Sequence, residues 1–533
     1  MKEVFLSDHS LKEVIKKTLE KPTSENFTEL AKFYNYRSYY NKAIDAANKA
    51  IELDRFNFHA WFELIMASGF KSESDLSRIR KELEKIMDYL ELKGEKEDGV
   101  FRVLSLINYF LEEDAIALNL IQKAIEINPE NSLNYEVYGY VLHATGDIKM
   151  ALEVFGKAIS LNPRSFRVLR MIAKCYFDLG ENEKAMAKVE ESLRLEQNFI
   201  ASWHLLGELY LAQGDFVKGT QALSKAISIN PEDWSSYFLL AEYFLSEGKY
   251  DNAIAEIEKI KMIMREKDEV ILAEVNNFIG FALLQKGDIE SAIDHFNIAI
   301  QNNSDFALPF YNLGEIELER GNFEKALKFY NEALKRDRFH IPSLTQAGFA
   351  LLNMKKIKQA EKYFLKALEF DEREYWAYLG LAEVARLDKR YKEQLNYVKK
   401  ALDLNSESSI VWNYAGVAYQ CNRQQKAAEE AYLTSLALDH SNRKAANNLA
   451  YLYEKMMNRT SSNREKEKYR ELAIETWKVR LLACRDEGTS IKGAVNHLKK
   501  LGVSTKEIDN LIRFSDIEEL KLIQAIRENI ANL

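Results

Sequence analysis

Eight residues of this chain share a register that would let them do chemistry together: Tyr140, Lys174, Glu208, Glu242, Phe281, Glu315, Phe349 and Glu383. Successive members are 34 residues apart, with a single step of 39 between Glu242 and Phe281. A second set, Arg170, His204, Phe238, Asn277 and Tyr311, keeps the same spacing, and Trp376 belongs to a third. Set in columns on parallel helices, aromatic rings interleaved with carboxylates suit a partner segment carrying apolar anchors and Lys or Arg. The plainer alternative is that each Glu is an ordinary solvated residue and each ring packs on the next helix. Arg167, Arg170 and Lys174, on one helix, would pair with Glu208 and its neighbours.

Residues for a reaction centre are missing by pattern. Neither GxxxxGK[ST] nor GxGxxG occurs, and Gly248–Lys249 lacks both the upstream Gly and the following Ser or Thr. The eight histidines (His9, His59, His143, His204, His295, His340, His440, His497) are scattered, with no HExxH and no CxxC. Cys175, Cys421 and Cys484 are far apart and odd in number, which reads as free thiols in a reducing compartment. The expectation is a non-enzymatic protein with no cofactor and no metal site.

The elements that must position these columns are short amphipathic helices in pairs. Residues 307–340 give the pattern, with large apolar residues (Phe310, Leu313, Phe323, Leu327, Tyr330, Leu334) set against the small Gly314, Ala326 and Ala333. Small residues recur at Gly139, Ala173, Gly207 and Ala241, then at Gly280, Gly314, Gly348, Ala382, Gly416 and Ala450. A second small column runs Ala117, Ala151, Ala185, Gly219, Ala253, Ala292, Ala326, Ala360 and Ala428, broken by Gln394, where a loosened contact is expected. Helices approach to about 8–10 Å only where the contact residues are small. Gly146, Gly180, Gly214, Gly248, Gly287 and Gly321 fall where each first helix must end, and Lys355, Lys389 and Arg423 replace them in later units. Asn-Pro pairs at 128–129, 162–163 and 230–231 end second helices.

This small–large–small signature with Gly between two helices resembles a tetratricopeptide repeat, over roughly residues 24–487. The resemblance implies an all-α, right-handed superhelical solenoid of antiparallel helix pairs, about 12–13 units, with terminal capping helices. It also implies a concave groove lined by first helices that receives an extended or helical segment of a partner. One variant of the family, which clamps the C-terminal carboxylate of heat-shock chaperones, requires Lys and Asn at two groove positions of one helix. Here those positions read Glu136 and Tyr140, Arg170 and Lys174, or Tyr311 and Glu315, so that function is not expected.

Composition and boundaries agree with an array. There are 82 acidic and 74 basic residues for a net charge of −8, which argues against nucleic acid as the main partner. No run of about 18 apolar residues occurs, and the N-terminus lacks a signal-peptide core, so a cytoplasmic protein without membrane insertion is expected. The expected layout is an N-terminal capping helix within 1–23, the array over 24–487, and a C-terminal cap or docking element over 488–533. Irregular units are expected at 58–97, at 234–272 (five extra residues near Met262–Asp268) and at 443–487 (an 11-residue polar insertion). The last segment would cap the array, or dock or self-associate over 490–533 through Leu511, Ile517, Leu520, Ile523 and Ile526.

The function expected is a scaffold or adaptor that binds protein or peptide segments, with the groove over 166–390 favoured. The alternatives are a structural subunit of a large assembly joined through convex faces and ends and, more weakly, an RNA-binding helical-repeat protein, which would need a basic inner face.

Overall fold

What decides how the helices meet is the size match between a residue of each first helix and the residue 16 positions later on the second. A methyl group added at Gly139, Gly314, Gly348 or Gly416 would fall 2.3, 2.5, 2.5 and 2.3 Å from the ring of Phe155, Tyr330, Phe364 and Tyr432. Those four rings are fully buried. Where the first helix carries Ala instead, the partner is aliphatic: Ala173 shares a core with Val189, Ala241 with Ile257 and Ala382 with Val398. Each of these seven pairs thus keeps roughly constant volume, as close packing requires, whereas Gly207 faces the aliphatic Leu223 with more room, at 3.0 Å.

The structure, a computed structural model, describes residues 9–69, 73–263, 268–486 and 491–513. All regular elements among the described residues are α-helices, and most are of 13 or 14 residues in alternation, such as Ala307–Glu319 and Phe323–Arg336. Most first helices are followed by a left-handed residue; among the described residues, Phe58–Ser68 and Arg443–Arg459, which end at Gly69 and Thr460, are exceptions. The left-handed residue is Gly in units such as that of Gly321 (φ +75°), but Lys355, Lys389 and Arg423 adopt φ of +61°, +61° and +63°. An L side chain is strained there, by about 1–2 kcal/mol. Gln394, in the broken small column, is buried and its Oε1 has no hydrogen-bond partner.

The described residues form two compact units, Met1–Asp288 and Ile289–Leu533. In the first, His9–Glu20 packs Leu11 and Val14 into the core beside Ser24–Tyr36. Phe58–Ser68 is followed by the 21-residue helix Glu73–Lys93, whose Leu76, Ile79, Leu83, Ile86 and Leu90 are all buried. Part of the five-residue excess near 262–268 is taken up by the helix Glu269–Lys286, which has 18 residues; residues 264–267 lie outside the described ones.

In the second unit the polar insertion lengthens both helices of the last pair, Arg443–Arg459 and Asn463–Asp486, and leaves a short turn. Lys492–Lys500 and Thr505–Arg513 then cover that pair, burying Ala494, Leu498, Leu501, Ile508 and Leu511 in one core with Trp477 and Leu481. The Trp477 and His497 rings stack at 4.2 Å, and both meet Glu454 Oε1, the indole N–H at 2.7 Å and His497 Nδ1 at 2.8 Å. Ile517, Leu520, Ile523 and Ile526 lie outside the described residues.

Candidate partner-binding groove

Within Met1–Asp288 part of the inner face, around Arg167, is occupied by its own chain. Arg167 donates to both carboxylate oxygens of Glu63, at 2.6 and 2.7 Å, across 104 residues of sequence. Its guanidinium lies over the rings of Tyr36 and Phe62, at 5.1 and 5.3 Å. Tyr36 meets Phe166 edge-on at 4.5 Å, and the Asn230 side-chain amide donates to the Arg37 carbonyl at 2.9 Å. The curvature of successive helix pairs has brought the first two pairs against the later ones.

Tyr140 and Arg167 are therefore buried rather than offered to a partner. Tyr140 donates to Glu136 at 2.7 Å. Burial pushes the Glu136 carboxyl above its ordinary range, although Arg167 opposes the shift. The pairing of the basic group with Glu208 is replaced: Arg167 takes Glu63, and Lys174 takes Asp178 at 2.9 Å. Arg170 is half-buried against Met171. His204 is half-buried, with Nε2 at 2.8 Å from Ser236 Oγ and 3.2 Å from the buried Asp233. Glu242 stays exposed and Glu208, Phe238 and Asn277 half-buried, while Phe281 is 36% exposed. Partial desolvation, with the charge of Glu208 added, raises the Glu242 pKa.

Within Ile289–Leu533 the predicted aromatics do converge. Tyr311, Phe349 and Trp376 line one groove of about 620 Å³ with Ile410, Tyr414 and Lys444. Phe349 and Trp376 meet edge-on at 6.3 Å, and the Phe349 ring rests on Phe364 at 5.1 Å. Trp376 N–H donates to Glu374 Oε1 at 2.9 Å, which fixes the start of the helix Tyr375–Leu387. Tyr311 and Tyr414 are both pushed up to about 12, chiefly by burial, so both hydroxyls stay protonated at neutral pH.

The carboxylates of this unit's ladder are engaged internally. Glu315 accepts from the Tyr330 hydroxyl at 2.6 Å and from Gln346 at 3.2 Å, and burial nevertheless raises its pKa. Glu383 is held by two bonds from Arg386, at 2.8 and 2.6 Å. The groove is thus aromatic and aliphatic in character, with mixed charge at its edges from Glu374, Asp439 and Lys444.

Sequence reasoning missed Pro342, Ile410 and Lys444. The signal was present, since all three stand in the column of Trp376 at steps of 34 residues. Ile410 is 41% exposed, although it is a large apolar residue in the first turn of the helix Ser409–Cys421. That column lies seven residues, about two turns, nearer the helix starts than the Glu315–Phe349 column. Among the described residues no cluster of His, Cys, Asp and Glu fits a metal ion, and no helix is long and apolar enough to cross a membrane. Cys175 and Cys421 are free thiols.

Comparison with known proteins points to one family. Tetratricopeptide repeat families match residues 142–209, 204–265, 280–341 and 341–374. Similar solved structures include the APC/C hetero-tetramer Cut9–Hcn1, at 15% identity over 90% of this chain and 96% of that one, TM-score 0.42. Yeast Tom70 is similar at 15% identity over 79% and 99%, TM-score 0.40, and MamA at 26% over 31% and 95%, TM-score 0.26. A search of curated proteins returns no significant match. The all-α pairing of the helices and the matches over 142–374 together make this chain a tetratricopeptide repeat protein.

Proposed function

We propose that this protein is a non-enzymatic interaction scaffold, and that its main ligand site is the groove along the first helices of Ile289–Leu533. The observation that carries this is the partly exposed cluster Tyr311, Phe349, Trp376 and Ile410, whose rings are fixed by packing and ready for contact. Rigid aromatic anchors in a groove are the feature on which binding energy concentrates. The partner is an extended or helical protein segment with one or two large apolar residues. Because Glu315 and Glu383 already have partners in the chain, basic anchors matter less here than the sequence ladder implied. The pair Glu208 and Glu242 remains a second, basic-segment contact on the inner face of Met1–Asp288. Free thiols fit a cytoplasmic location.

The test is selection of a displayed random peptide library on the full-length chain. Enriched peptides should carry a large apolar anchor. Trp376→Ala and Ile410→Glu should each weaken them by about 2 kcal/mol, roughly 30-fold, with both variants still folded by circular dichroism at the binding temperature. Peptides that bind both variants as well as the parent protein place the ligand site elsewhere.

A further inference from the structure

A second groove lies on the opposite side of the same helix pairs, between the second helices Phe323–Arg336 and Ile357–Phe370. It encloses about 800 Å³ and is separate from the aromatic groove, with no lining residue in common. Its floor is apolar, from Leu327, Leu334 and Tyr363, all only half-buried. Tyr363 is steadied there by donating to Asn331 at 2.7 Å. Lysines form its rim: Lys328 and Lys335 on one helix, Lys362 and Lys366 on the other.

Apart from Lys335, which pairs with Glu332, the rim lysines have no carboxylate partner among the described residues, although Lys366 lies 5.7 Å from the centre of the Phe370 ring. Lys358, Lys362 and Lys366 are four residues apart on one helix, which puts them on one face, and all three are exposed. Among the described residues none of the three, nor Lys328, forms an ion pair. Glu332 is already taken by Lys335 at 2.6 Å and Arg336 at 2.9 Å. Glu324, at one end, is the remaining carboxylate of the lining. Unpaired cations thus stand around an apolar floor on a protein whose net charge is −8.

We propose that this convex groove docks an acidic amphipathic helix of a partner protein. Two parallel second helices leave a trough into which the side-chain ridge of a third helix fits. A Leu or Phe of that helix would sit over Leu327, Leu334 and Tyr363. Carboxylates one turn apart would meet Lys362 and Lys366, with Lys328 across the trough. The half-buried floor distinguishes such a ligand from a flexible polyanion, which would use the lysines alone. The chain then has two faces for two partners, one in the aromatic groove and one outside it.

The experiment uses the full-length protein and a helix-biased random peptide library, with heparin and phosphatidylserine-containing vesicles as parallel probes. The expected result is recovery of acidic peptides with carboxylates at i and i+4 beside a large apolar residue. They should bind Lys362→Glu/Lys366→Glu at least about tenfold more weakly, and Leu327→Ser similarly, while Trp376→Ala leaves them unaffected. Circular dichroism melts confirm that the variants fold, and Lys362→Gln/Lys366→Gln supplies a milder change at the same exposed sites. Recovery of peptides without acidic enrichment, or equal binding to the variants, overturns the proposal. So does loss of heparin or vesicle binding in the variants with no acidic peptide recovered, which would reassign the lysines to a polyanion or a lipid surface.

Discussion

Replacing Gly348 with Ala puts one methyl group where there is no room. Its carbon would stand 2.5 Å from the nearest ring atom of Phe364, and the same ring is approached from the next helix pair at Gly380, to 2.3 Å. Pinned between the two glycines, the ring has little freedom to yield. In an open helix Gly→Ala would gain about 1 kcal/mol. Overpacking a filled core costs about 1–3 kcal/mol, so the net expectation is a loss of up to about 2 kcal/mol. The chain supplies its own remedy in the pair Ala382 and Val398, where a small methyl faces a smaller aliphatic. Phe364→Val alone should cost about 2–4 kcal/mol through the space it opens. Combined with Gly348→Ala it should cost less than the sum by at least about 1 kcal/mol, because the methyl occupies part of that space. A repeat array need not unfold in one step, so the readout is hydrogen exchange of the helices Ile341–Asn353 and Ile357–Phe370, alongside urea unfolding. Additive effects, within about 0.5 kcal/mol, or a stabilised Gly348→Ala, would refute the volume-matching account.

Three further outcomes follow from particular contacts. Glu63→Gln leaves the Arg167 charge buried with its partner neutralised and should cost about 3 kcal/mol by urea unfolding. The double change Glu63→Leu/Arg167→Leu should recover most of that, because both desolvated charges are gone. Glu136 has a folded pKa raised by burial, so its contribution is fully present below the ordinary carboxylate range and is lost as pH rises through the raised value. Thermal melts from about pH 4 to pH 8 should therefore show a decline that Glu136→Gln reduces, with the variant more stable at neutral pH. Lys389→Gly removes the strain of φ +61° and should stabilise by about 0.5–1 kcal/mol after the added freedom of the unfolded chain is counted. Differential scanning calorimetry would register this as a higher unfolding temperature; a lower one would contradict the left-handed assignment.

The pairing of helices was legible because it is local. Gly139 with Phe155 and Ala382 with Val398 are 16 residues apart, and their sizes can be matched on the page once the period is known. The strained turns at Lys355, Lys389 and Arg423 were legible for the same reason, since a Gly column exposes its exceptions. The contact of Glu63 with Arg167 was not. It spans 104 residues and depends on small rotations accumulated over several helix pairs, which no single unit encodes. That is why Tyr140 and Arg167 read as groove residues and are buried. Carboxylate columns misled in another way. Sequence register shows that Glu315 and Glu383 share a face, but not that Tyr330 and Arg386 reach them first. Pro342, Ile410 and Lys444 were recoverable from register alone, by extending the column of Trp376 in both directions.

Hydrogen–deuterium exchange of the full-length chain, with and without a peptide selected on it for a large apolar anchor, tests the groove most directly. The expected result is added protection in the helices Ala307–Glu319, Ile341–Asn353, Tyr375–Leu387 and Ser409–Cys421, centred on the turns that carry Pro342, Trp376 and Ile410. Protection confined to second helices, or to Met1–Asp288, would contradict the assignment of the aromatic groove as the ligand site.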